Sequence, residues 1–405
     1  MAVQSSEEPA ASGSNAATIA RIVALVGDPG FHIDPYPAYR AFLDAPGWET
    51  PSGYRVFSRY KDVQDIMRDF DGFGQEGIPY PNFHVLNPPE HTRLRKLVAK
   101  AFTQRAVNER YDQIVAFVNE LVDDVIADGK MDFMQRFALE LPGRVGASLL
   151  DVPYEDIPQW NQWLWAIGQF RGKTNYLTEG TEAGKKAATQ AAAAAADYFR
   201  HLIAERQSVR GIDMVSALLG AREGEDKLSE EEILYSLVLI LGGSLHTTAS
   251  QLGNTFRALF ENPDQLAALE ADPSLVNGAV EEGLRYDGSL QAEYRVCRVD
   301  TEVNGVPVKQ GQHVILAVGA ANHDPLQFPE PEKFDIRRAN AAQHLTFGMG
   351  IHRCLGAQLA QSEMRIAVET LLRRLPKLRQ AGGMVQHEYD RWRGLSSMPV
   401  VWEVA

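Results

Sequence analysis

Cysteine is nearly absent: Cys297 and Cys354 are the only two thiols among 405 residues. A disulfide framework is thereby excluded, and a reducing, cytoplasmic setting is expected. Basic residues are outnumbered, 40 Lys and Arg against 53 Asp and Glu, for a formal net charge of -13. That balance argues against a nucleic-acid or anionic-membrane surface spread over the whole molecule, and leaves room only for a local basic patch. Long hydrophobic runs are missing too. The longest, Ile233 to Leu245, is broken by serines and glycines and falls short of the roughly 20 apolar residues of a membrane span. The N-terminal MAVQSSEEPAASGSNAA has neither the basic start nor the apolar stretch of a signal peptide, so residues 1–17 read as a disordered tail. No Ser/Gly/Pro linker and no internal repeat of about 20 to 50 residues divides the rest, so 18–405 are expected to form a single domain.

What is there is mostly helical pattern in an ordinary globular composition, 45% hydrophobic and 23% charged. Glu109 to Val125 is amphipathic, and Gln190 to Glu205 is alanine-rich, which favours helix over disorder. Strand signals are confined to Gly53–Phe57 and to TEVNGVPVKQGQHVILAVGA, where Asn304-Gly305 supplies a tight turn. The expected class is mainly α with a minor β portion.

One helix stands out. Ser229 followed by Glu232 makes a capping box, and the pattern runs on until Pro263 stops it. About 32 residues span roughly 48 Å, enough to cross a domain. Its middle departs from a core helix: Gly242, Gly243, Ser244, His246, Thr247 and Thr248 are small or polar. Two readings stand: close helix packing with Ser and Thr back-bonded to carbonyls one turn earlier, or a groove that holds something flat beside a polar relay.

Cys354 lies in HLTFGMGIHRCLGAQLA, at or just before the first turn of a helix. Glycines there permit backbone that side chains forbid, and unpaired amides with the helix dipole favour a thiolate. A nucleophile would need a His held by a third group, and His352 has no Asp or Asn partner in the segment. Structural zinc would need about four ligands, more cysteines than the chain offers. Haem iron with one axial thiolate, or an inert buried Cys, remains.

With Phe347, Gly348, Gly350, His352, Cys354 and Gly356 fitting FGxGxHxCxG at every fixed position, the chain resembles the cytochrome P450 family, specifically its soluble bacterial members. The resemblance extends from about Asp34 to the C-terminus. It implies a triangular helical domain with small β-sheets, haem b (iron protoporphyrin IX) as cofactor, and Cys354 as the axial iron ligand. It implies that Glu282 and Arg285, an ExxR pair, form with Arg337 a buried charge network bracing the Cys354 segment. A Glu and an Arg three apart share a helix face, and buried charges must be paired. It further implies that His91, Arg95, Arg295 and His352 reach the haem propionates; a buried anionic edge demands such a cluster.

The same resemblance gives the long helix its chemistry. Where bacterial members carry an acid before a threonine, this chain reads His246-Thr247. Thr247 takes the hydroxyl position in proton delivery to dioxygen, and His246 either replaces the acid or points into the core, leaving Thr247 and water to do the work. Arg93, Arg95, Lys96, Lys100 and Arg105 form a basic strip without an acid from His91 to Arg105. In the family that face receives an electron donor, so a separate ferredoxin and its NAD(P)H-dependent reductase are expected, with no membrane span, no nucleic acid, and a monomer.

Substrate-facing segments by resemblance include Phe83, Trp163, Trp165, Phe170, Leu241, Gly243, Gln291, Ala292 and Leu395. They suggest an apolar, aromatic-lined pocket for a small hydrophobic or aromatic molecule, with Gln291 or Glu293 orienting a polar atom, or Glu293 bonding a propionate partner. The expected reaction is insertion of one oxygen atom by hydroxylation or O-dealkylation; the alternatives are a peroxide-driven peroxygenase and a non-catalytic haem-binding protein.

Overall fold

The computed structural model describes residues 12–75, 82–102, 110–172, 182–211, 213–387 and 392–404. Six helices place the site: α1 (Glu90–Ala99), α2 (Ile157–Gly172), α3 (Glu182–Ser208), α4 (Glu230–Glu261), α5 (Val276–Tyr286) and α6 (Ala357–Arg374). The capping box forms as expected. Ser229 Oγ accepts from the Glu232 amide at 3.1 Å, and the Glu232 carboxylate accepts from the Ser229 amide at 2.8 Å. From that start α4 runs 32 residues. All of Thr248–Leu259 is buried, so the helix must satisfy neighbours on every side.

One hydrophobic core joins these helices: Leu94 and Leu97 of α1, Trp160 of α2, Phe199 of α3, Leu252 and Phe256 of α4, Leu284 of α5, and Met364 and Leu371 of α6. By length and composition α4 could cross a membrane; its burial inside the protein accounts for that apolarity.

The β portion is small. A five-stranded sheet contains β1 (Trp48–Glu49), β2 (Arg55–Phe57), β3 (Phe73–Gly74), β4 (Glu293–Cys297) and β5 (His313–Leu316), in the order β1-β2-β5-β4-β3. β5 runs parallel to β2, with Ile315 opposite Val56, and antiparallel to β4, with Leu316 opposite Glu293. Alternation along the strands divides them between two further cores. Val56 and Ile315 meet Ile22, Phe42 and Trp48 on one face, whereas Phe57, Leu316 and Cys297 meet Ile66, Phe73 and Leu345 on the other. Asn304 and Gly305 form the tight turn of a separate hairpin, both with positive φ (48° and 80°).

The tail expectation is corrected in part. A helix begins at Ser12 and runs to Val26, because TIARIVALV carries the apolar positions, Ile22 and Val26 among them, that seal the second core. The earlier tail residues lie outside the described set.

Candidate functional site

Cys354 sits three residues before α6. Its amide donates to the Phe347 carbonyl at 2.8 Å, and the Gly348 amide donates to Leu345 at 2.8 Å, closing the loop on itself. The loop needs its glycines. Gly348 and Gly350 have φ of +67° and +70°, and a side chain at Gly350 would stand 2.8 Å from the Met67 carbonyl. Cys354 is accessible although protein surrounds it, and Gly356 beside it has open space where a side chain would stand. Burial pushes its thiol pKa up, against the opposing pull of the Gly356 amide and the Arg95 and Arg353 charges. Desolvation thus opposes the amides and helix dipole that favour a thiolate, and a bound cation would tip the balance toward it.

The loop is held from below by α5. Thr346 Oγ1 donates to the Leu284 carbonyl at 2.6 Å, and Asn322 bridges Thr346 and Leu345 at 3.0 and 2.8 Å. Arg285 makes a two-point contact with Glu282, 2.8 Å at each end, and both side chains are fully buried. Its remaining donors meet the carbonyls of Asn322, Pro331 and Lys333. The third member of the network is Arg338, not Arg337. Arg338 Nε reaches Glu282 at 3.1 Å and its other nitrogens bond Pro329, Glu330 and Lys333 carbonyls, while Arg337 is exposed. The turn at 335–338 puts consecutive arginines on opposite sides, so RR in a sequence does not say which one turns inward.

Two arginines and two histidines gather near the loop. The His91 and His352 rings lie 4.8 Å apart, edge to face. Arg95 donates to the Arg353 carbonyl at 2.5 Å and its guanidinium lies 5.7 Å from the Phe83 ring. Arg295, on the same face of β4 as Glu293, pairs with it at 3.3 Å. Burial first, then the Arg295, His91, His84 and Arg95 charges, drives the His352 pKa down to about 3. His91 is lowered by burial and by Arg95. Among the described residues, His352 Nδ1 and both His91 ring nitrogens make no well-formed hydrogen bond, though the Ile351 backbone lies beside His91. Two guanidinium groups beside histidines with buried orphan nitrogens fit a group that brings carboxylates of its own. A haem with two propionates is such a group, and the one soft donor beside the cluster suits its iron.

The middle of α4 provides a gap. Gly242 and Gly243 are exposed although Leu241 and Leu245 beside them are buried, and a side chain at Gly243 would meet nothing within 4 Å. Ser244 and Thr247 back-bond, Thr247 Oγ1 to Gly243 O at 2.5 Å and Ser244 Oγ to Leu241 O at 3.1 Å. The expected back-bonding is present, whereas the expected close packing by the glycines is not: Gly243 leaves an open face.

A sequence model described as Cytochrome P450 matches residues 174–400. Cytochrome P450 107B1 of Saccharopolyspora erythraea is 40% identical over 373 residues, covering 85% of this chain and 88% of that one. The chain belongs to the cytochrome P450 family. Among solved structures it resembles P450BioI in complex with hexadec-9Z-enoic acid ligated acyl carrier protein, with a TM-score of 0.86 at 32% identity over 92% of this chain and all of that one. It also resembles CYP109E1 from Bacillus megaterium in complex with testosterone, with a TM-score of 0.87 at 29% identity over 92% and 99% of the two chains. It is accordingly a haem-binding P450 enzyme with the dioxygen-dependent oxidation chemistry of that family.

Within this P450 the residues expected in the substrate pocket have the following surroundings. Gln291 has both ends engaged, accepting from the Tyr39 hydroxyl and donating to the Gly288 carbonyl. Ala292 belongs to the core of Ile22 and Phe42, because alternation turns it away from the face that carries Glu293 and Arg295. Leu395 is buried against Gly253 and Met134, and Leu241 is buried in the main core. Trp163 packs edge-on to Tyr198 at 5.9 Å, joining α2 to α3. Phe83 is buried and lies on the Arg95 side. The side chains of Trp165 and Phe170 lie outside the described residues.

The basic strip is largely neutralised. Arg93 pairs with Asp226 and Glu232, and Lys96 and Lys100 both reach Glu223 at 2.7 and 2.8 Å. Arg105 lies outside the described residues. A small hairpin, Arg222–Glu223 with Asp226–Lys227, brings Glu223 and Asp226 across from more than 100 residues away, and Glu232 comes from the start of α4, which no local charge count could show. Another feature invisible locally is the Asp287 carboxylate, which bridges Arg393 at 2.6 Å and Arg257.

Proposed function

We propose that this chain is a haem b monooxygenase that inserts one oxygen atom into a small hydrophobic substrate, by hydroxylation or O-dealkylation. The observation that carries the reading is Cys354, open within the protein beside two arginines and two histidines whose ring nitrogens lack well-formed hydrogen bonds. Cys354 would ligate the iron, and His91, Arg95, Arg295 and His352 would hold the propionates; Phe347 and Gly348 shape the loop around the sulfur. Glu282, Arg285 and Arg338 brace that loop. Bound haem supplies dioxygen activation, with electron donation from the thiolate. Gly243 leaves room on the α4 side. Thr247 has already committed its proton to Gly243 O, so its oxygen is an acceptor toward the pocket, suited to holding a water or a protonated oxygen in place.

An apolar substrate is supported by the testosterone and hexadecenoyl groups in the neighbours' structures and by the exposed glycine face. Separate electron donors, a ferredoxin and its NAD(P)H-dependent reductase, are part of the proposal, with the face that carries Lys96 and Lys100 as the surface to probe. Cytoplasmic location and a monomeric state complete the proposal. The test is a spectral screen of small apolar compounds against purified ferric protein. Displacement of water from iron by hydrophobic compounds, followed by oxygenated product when ferredoxin, reductase and NAD(P)H are supplied, is the expected result. Faster turnover with hydrogen peroxide alone would make it a peroxygenase, and no spectral response and no product would leave a haem carrier.

A further inference from the structure

We propose that His246 is a positioning residue, not a proton donor: it clasps α2 and the late hairpin, Val385–Gln386 with Leu395–Ser397, onto α4. Helical geometry separates the two tasks. Gly243 and Thr247 are four apart and share the open face of α4, whereas His246 lies about 100° round the helix from Thr247. His246, Ser250 and Gly253, at i, i+4 and i+7, share a different face. The late hairpin covers that face: a side chain at Gly394 would collide with Ser250 Oγ, and one at Gly253 would stand 3.8 Å from Leu395. The His387 amide donates to the Gly394 carbonyl at 2.9 Å, fixing His387 to the same turn.

Two partners then meet His246. Its ring bonds the Asn161 backbone of α2, and a proton on His246 would oppose one on His387, whose pKa burial pushes down to about 4. The Asn161 partner explains the departure from the usual acid. A backbone carbonyl needs a donor, and an ionised Asp or Glu has none, whereas a neutral imidazole donates one N–H. Burial also lowers the His246 pKa, which favours the neutral ring. The residue that elsewhere carries an acid is therefore spent here on joining three elements behind the pocket, and Thr247 is left to face it alone.

The inference rests on the haem reading above, and its test keeps the two apart. Protein carrying 13Cε1-labelled histidine is prepared in the reduced, CO-bound form, and the thiolate-type Soret band is recorded as the check on haem. Binding of 4-phenylimidazole to the ferric form reads the pocket, and the His387 titration midpoint reads the pair. His246→Ala and His387→Ala should each weaken 4-phenylimidazole about tenfold, and the double variant should be no weaker than either single one. His246→Gln, which keeps a donor, should restore the affinity, and His246→Glu should not. The His387 midpoint should rise when His246 is replaced. Unchanged affinity and midpoint in variants that keep the thiolate band would overturn the clasp, as would additive losses, or rescue by Glu in place of Gln. Should His246→Ala fail to take up haem, His387→Asn reads the same coupling from the hairpin, where a rise in the His246 midpoint supports the clasp and no rise overturns it. Absence of the band in the wild type would instead sink the haem reading.

Discussion

The two walls flanking the haem site proposed here are built on opposite principles. The Cys354 wall is held by ions and hydrogen bonds among fully buried groups, with Glu282 and Arg285 sealed from water and every branch of Arg338 and Arg285 spoken for. The α4 wall is held by apolar packing, and at its centre side chains are missing or bonded back to their own helix. One wall fixes Cys354, the proposed metal ligand, in place; the other leaves room at its glycines. The lesson is that a rigid side and an adjustable side can share one core without sharing chemistry.

The largest expected effect comes from cutting the rigid wall. Glu282→Ala leaves Arg285 and Arg338 buried without their carboxylate, which should cost about 3–5 kcal/mol in urea unfolding and release haem. Next, the two neighbouring arginines separate cleanly. Arg338→Ala should approach that loss, whereas exposed Arg337→Ala should stay within about 0.5 kcal/mol of wild type. Equal losses would mean that the network is drawn wrongly.

On the adjustable wall the effect should move from stability to chemistry. Thr247→Ala should unfold at nearly the wild-type urea concentration, yet yield roughly tenfold less product per dioxygen consumed. A large loss of stability there would erase the contrast between the walls.

His323 extends the rigid side. It packs against Tyr36, Tyr39 and Tyr286, and burial, then the Arg285 charge, lowers its pKa from 6.5 to about 3. The unfolded chain therefore binds a proton that the folded one refuses, so this contribution is intact above pH 6.5 and is lost as pH falls toward about 3. The difference in stability between wild type and His323→Leu should change with pH across that window and be flat above it.

The smallest effect is on the surface. Lys96→Ala removes an exposed pair with Glu223 and should change stability by less than about 1 kcal/mol. Its effect on reduction by a ferredoxin should be a few-fold at low salt and vanish at high salt.

These walls were not equally legible in the sequence. The Cys354 loop, the ExxR pair and the cluster of arginines and histidines rest on charges and glycines that few other residues can replace, because a buried ion or a positive φ tolerates little substitution. The capping box at Ser229 and the length of α4 were legible for the same reason: local hydrogen-bonding chemistry fixes them. The packing of Gln291, Ala292 and Leu395 was not legible because one step along a strand or turn reverses a side chain, and apolar residues do not announce which side they face. Arg338 was missed through a turn of that kind. The acids that neutralise Arg93, Lys96 and Lys100 were missed because the hairpin and the start of α4 that carry them are distant in sequence.

The central claim is a bond from Cys354 to haem iron. Reduced protein loaded with haem and exposed to carbon monoxide should show the red-shifted Soret band of thiolate-ligated iron, and Cys354→Ser should abolish it. A fully loaded wild type that shows the ordinary, unshifted carbon monoxide band in fresh, folded protein would contradict the account.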